Sequence, residues 1–161
     1  MLKLNLKILV AHIIGCVMGF LSIFLISVFS SDIWYITTSA LFTIVIFMLY
    51  VSAGFWANNG KHKGAIPIIS IFWLSAALLL ITLPIIIHGF NLKEARGLDV
   101  FAIYANASFN RLLFVDTPLI HLLYKLPYNL QFVILPLLPS SLAALGFALK
   151  NVYIERKKEK V

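Results

Sequence analysis

His88 and His121 share one stretch of the chain with Asp99, Arg111, Asp116, Tyr124 and Lys125, and these are the side chains whose types could do chemistry. An imidazole near a carboxylate is a general base, here His88 or His121 with Asp116. A cation such as Arg111 or Lys125 can hold an anionic headgroup. Two histidines and two carboxylates can also ligate a metal, but their spacing fits no local motif such as His-Glu-x-x-His, so no metal site is assigned. Asp99, Asn106, Asn110, Tyr124 and Lys125 form the competing set, candidates for contact with a lipid or a protein partner. The plainest expectation for all of them is a role as solvated anchors at a membrane boundary.

His12 is the other residue of interest, because it stands inside a long apolar run, five positions past Lys7. An ionisable group at membrane depth is a functional candidate by default. The simpler expectation is an imidazole hydrogen-bonded to a neighbour such as Tyr50 or Ser52. A proton relay would need a carboxylate within the apolar runs, and the sequence places none there. Ile13-Ile14-Gly15-Cys16 resembles a lipobox, but apolar residues continue after Cys16 where a lipoprotein turns polar. With a single cysteine there is no thiol pair, and neither a G-x-S-x-G elbow nor a glycine-rich phosphate loop occurs. No cofactor is expected.

The elements that must position these residues follow from composition. Of 161 residues, 61% are hydrophobic and 12% charged, against about 45–50% and about 25% in soluble domains. A soluble monomer of this size cannot hide so much apolar surface. Four stretches free of Lys, Arg, Asp and Glu are long enough to cross a bilayer as helices, about Ile8–Phe29, Ile33–Ala57, Pro67–Gly89 and Leu130–Leu149. The first is too long for the core of a secretory signal. Trp34, Tyr35, Trp56 and Tyr128 fall near the span ends, where aromatic anchors belong.

The net charge of +7 reads as orientation. Nine of the thirteen Lys and Arg residues fall on one side of a four-span chain: Lys3, Lys7, Lys61, Lys63, Lys150, Arg156, Lys157, Lys158 and Lys160. Both termini are therefore predicted cytoplasmic. No nucleic-acid partner is expected, since no folded basic surface tracks phosphates. A fifth crossing through Val100–Leu126 is the rival topology. It would bury Arg111 and Asp116, each costing about 2.5–3.5 kcal/mol at the bilayer centre, and it is rejected.

The connection between the third and fourth spans, about Phe90–Asn129, is too long and apolar for a plain loop. Thr117–Leu126 places Leu119, Leu122, Leu123 and Leu126 on one helical face, with Pro118 at the first helical position and Pro127 as a stop. Asp99–Val115 reads as a longer helix with a narrow polar stripe of Asp99, Asn106 and Asn110, suited to the interface or to packing on the bundle. Pro84, Pro136 and Pro139 should kink or unwind their spans. Ala11, Gly15 and Gly19 give the first span a small-residue surface for close helix packing, within the chain or in a homodimer.

The expected architecture is an all-α membrane protein and a single membrane domain over 1–161. Four transmembrane helices carry two amphipathic interfacial helices in an outer cap at about 98–127 and a basic cytoplasmic tail at 150–161. The expected setting is a cell membrane, and the Ile-rich spans and Lys-heavy tail fit a bacterial one. The leading functional expectation is a non-enzymatic protein that binds a lipid or another membrane protein through its spans and cap. An outer-leaflet enzyme acting on a lipid-linked substrate, with His88 or His121 as base, is the second reading. A small channel or carrier is the third.

Overall fold

In hydrocarbon every backbone amide must find its partner within the chain, and the helix is the local solution. The computed structural model describes residues 2–28, 32–58, 65–88, 97–106 and 128–159. All elements among these are helices: α1 (Leu2–Val28), α2 (Asp32–Ala57), α3 (Ala65–Ile71), α4 (Trp73–His88), α5 (Gly97–Ala105) and α6 (Tyr128–Lys158). Four segments are long and apolar enough to cross a membrane: Leu2–Ser22, Ala40–Ala57, Ile66–His88 and Phe132–Lys158. Each falls on one of the four stretches read from the sequence. The helix of the fourth span, α6, continues through Lys158, so most of the basic tail is helical.

Two faces of α1 separate by side-chain type. Leu4, Ile8, Ala11, His12, Gly15, Gly19 and Ser22 recur every three or four residues and are buried. Leu6, Val10, Ile13, Val17, Leu21 and Phe24 are exposed. All the small and polar groups of this set point inward, with Leu4 and Ile8 beside them, and the outward face is large and apolar, the arrangement of a helix solvated by lipid. The Ala11, Gly15, Gly19 surface is spent within the chain, and Ala11 packs with Ile46 and Tyr50 of α2 and Leu135 of α6. α2 and α6 approach closely. A Cβ on Gly54 would collide with the carbonyl oxygen of Ala143, and one on Gly146 with that of Val51. Such backbone proximity is how membrane helices gain dispersion contact where lipid offers no hydrophobic drive.

Three apolar clusters give the order of the bundle from end to end. Leu4, Ile8, Ala57, Ile71, Leu74 and Phe147 gather near the chain terminus, and Ile85, Ala102 and Phe132 at the opposite end. The connection from α4 to α6 therefore leaves and returns at the same end, which a fifth crossing would not allow.

The third span differs from expectation. It is split by a turn at Phe72, while α4 runs unbroken through Pro84 and α6 through Pro136 and Pro139, so the prolines do not unwind their helices. A continuous helix would bond the Ser75 amide to the Ile71 carbonyl. The Ser140 hydroxyl of α6 stands between them instead, accepting from Ser75 N–H at 3.2 Å and donating to Ile71 O at 3.0 Å. Inserting a side chain into the ladder is a recognised cause of a break. Ser75 returns the contact by donating to the Pro136 carbonyl at 2.8 Å.

Of the upstream cap helix expected over Asp99–Val115, the described part is α5, which ends at Ala105 with Asn106 in a turn, and residues 107–115 lie outside the described residues. This helix packs against α4 and sends its last turn into the bundle, the second of the two placements its narrow polar stripe allowed. The helix expected over Thr117–Leu126 lies outside the described residues.

Candidate functional site

Of the residues singled out for chemistry, His88 is exposed in the last turn of α4 and Asp99 is half-buried in the first turn of α5. His121, Asp116 and Arg111 lie outside the described residues, as do Asn110, Tyr124 and Lys125. The described part of the chain thus assembles no catalytic set around His88. Among the described residues no group of three or more His, Cys, Asp or Glu could hold a metal. Asn106, expected on a polar face, is instead buried. Its Nδ2 donates to Thr82 Oγ1 at 3.1 Å and to Ala102 O at 2.9 Å, and its Oδ1 is buried with no hydrogen bond.

The last carbonyls of α5 have no N–H donor within the helix, and leaving one unpaired in hydrocarbon is costly. His12 meets this need. Its Nε2 donates to Ala105 O at 2.9 Å, and Nδ1 lies 2.7 Å from the Tyr50 hydroxyl. A carbonyl can only accept, so Nε2 carries the proton. With Tyr50 donating to Nδ1, a neutral ring is fully satisfied. Cys16, one turn along, sits 3.7 Å from both His12 Nε2 and Ala105 O. The imidazole joins three helices and leaves no nitrogen for substrate. The expected bond to Tyr50 is present, while Ser52 donates to its own helix at Leu49 O.

Other intramembrane hydroxyls behave likewise. Ser22, Ser70 and Thr82 donate to Gly19 O, Pro67 O and Leu78 O of their own helices. Donation to a nearby carbonyl removes a hydroxyl from any pore or site.

A second assembly lies at the end that carries the chain terminus. Asn58, just past α2, donates to Phe147 O at 3.1 Å and Asn151 Oδ1 at 2.7 Å, tying α2 to α6. Lys7 of α1 donates to Trp56 O at 3.1 Å. The Lys150 ammonium sits 4.4 Å from the Phe55 ring centre, 5.1 Å from Tyr153 and 5.8 Å from Trp56. From Lys7 and Trp56 a groove of about 410 Å³ runs between α1 and α2, lined by Val10, Ala11, Ile14, Leu49 and Ala53 among others. Sequence reading placed Trp56 as an anchor but did not connect it with Lys7 or Lys150. The available signal was their common position at span ends on one side.

The chain matches no protein family, and neither a curated protein nor a solved structure shows significant similarity to it.

Proposed function

We propose that the chain is a multi-pass protein of the cell membrane, bacterial in type, with both termini cytoplasmic, and that it acts by binding a lipid or another membrane protein, without catalysis. One observation carries the reading. Among the described residues, His12, Ser22, Ser52, Ser70, Ser75, Thr82 and Ser140 are engaged in helix-to-helix or within-helix bonds, whereas the outward faces of α1 and α2 present large apolar side chains such as Val17, Phe24, Ile44 and Met48. What remains free for a partner is apolar surface and the groove it frames.

Native mass spectrometry of the full chain released in mild detergent tests this. The expected result is a lipid or a second membrane protein retained in fixed ratio. A chain that emerges bare and monomeric overturns it.

A further inference from the structure

The groove between α1 and α2 covers about two thirds of one leaflet's depth. From Lys7 to Ile14, α1 advances about 10 Å at 1.5 Å per residue, against about 15 Å for half of a bilayer core. Its walls are apolar except for Ser52, whose hydroxyl is turned onto Leu49 O. Its mouth is charged. Lys7 is bonded to the Trp56 carbonyl and Lys150 is held among the rings of Phe55, Trp56 and Tyr153, so two ammonium groups are brought to the same residue. Among the described residues neither is in an ion pair. An anion at this end of the groove is attracted by both ammonium groups.

An apolar trough spanning part of one leaflet, with Lys7 at its polar end beside a tryptophan whose ring also carries Lys150, matches a particular amphiphile. The geometry points to a binding site for an anionic phospholipid, its phosphate between Lys7 and Lys150 and one acyl chain along Val10, Ile14 and Ala53. A zwitterionic lipid brings its own cation to the same place and lacks the net charge. This site rests on the membrane-binding reading above and names the ligand within it.

The test uses the full chain in detergent, titrated with phosphatidylglycerol or phosphatidylcholine and read by native mass spectrometry. Glycerol 3-phosphate and inorganic phosphate serve as chain-free competitors. Wild-type protein is expected to retain one phosphatidylglycerol in preference to phosphatidylcholine. Each basic group near a membrane surface contributes about 1 kcal/mol, so Lys7→Ala and Lys150→Ala should each weaken retention about fivefold. Lys7→Arg should keep it, Ala53→Phe should abolish it by filling the groove, and Lys3→Ala should leave it unchanged. Equal retention of the two lipids by wild-type protein overturns the site whatever the variants do. Competition by glycerol 3-phosphate or inorganic phosphate as strong as by lipid overturns it as well, because the acyl chain would then be irrelevant. A Lys3→Ala loss equal to that of Lys7→Ala would reduce the effect to general surface charge. Failure of the chain to partition into membranes would sink the broader reading, whereas stable integration without lipid preference sinks only this site.

Discussion

At the scale of single residues, His12 carries the most consequence, because it answers a carbonyl at the end of a helix distant in sequence. Both ring nitrogens are used, one on Ala105 O and one on the Tyr50 hydroxyl. Removing that hydroxyl leaves Nδ1 buried without a donor. Interhelical hydrogen bonds in membranes average about 0.6 kcal/mol and reach about 1.7, and a stranded acceptor places this one toward the upper end. Tyr50→Phe is therefore expected to lower unfolding free energy by about 1–2 kcal/mol in a detergent denaturation titration. An unchanged midpoint would show that the hydroxyl does not support the ring. Asn106 supplies a contrast, since its buried Oδ1 already lacks a partner. The His12 and Tyr50 pair was legible in the sequence because each stands a few residues inside a span end on the same side. Ala105 was not legible, since nothing in periodicity says that α5 turns its last carbonyls into the bundle.

At the scale of elements, the crossing of the split third span with α6 holds the least redundant contact. Ser140 satisfies two backbone groups, Ile71 O and Ser75 N–H, whereas the Ser75 hydroxyl adds only a second donor to the Pro136 carbonyl. Backbone groups stranded in hydrocarbon cost more than a lost side-chain bond. Ser140→Ala is thus expected to destabilise the bundle by about 1–3 kcal/mol and Ser75→Ala by less than about 1 kcal/mol. Side-by-side unfolding titrations check the order, and equal effects would contradict it. Helix number and span positions were readable because apolar runs of this length have one solution in a bilayer. The break at Phe72 was not, because its cause lies on another helix, sixty-odd residues away in the chain. Proline, the usual breaker, drew the expectation to Pro84, Pro136 and Pro139, where the helices run on unbroken. Gly54 and Gly146 were likewise passed over. Glycine has no helical advantage within a span, so each already signalled a close approach.

At the scale of the whole molecule, contacts bring the described ends of the chain together, and the proposed orientation follows from charge. Lys7 meets Trp56, and Asn58 meets Phe147 and Asn151, so the start of α1 and the ends of α2 and α6 share one end of the bundle. An even number of crossings follows. That same end holds Lys3, Lys7, Lys150, Arg156, Lys157 and Lys158, while Asp99 begins α5 after the chain has emerged at the other. Lys and Arg flanking short connections are retained on the cytoplasmic side. A fluorescent reporter that matures only in the cytoplasm should therefore light when fused to either terminus, and a phosphatase that needs the exterior should stay silent there. Opposite signals at the two termini would contradict the contacts themselves, because residues that touch cannot lie across a bilayer. Inverted signals at both would spare the fold and overturn only the orientation. The anionic lipid site would then face the outer leaflet, with the same residues and the same expected loss on Lys7→Ala.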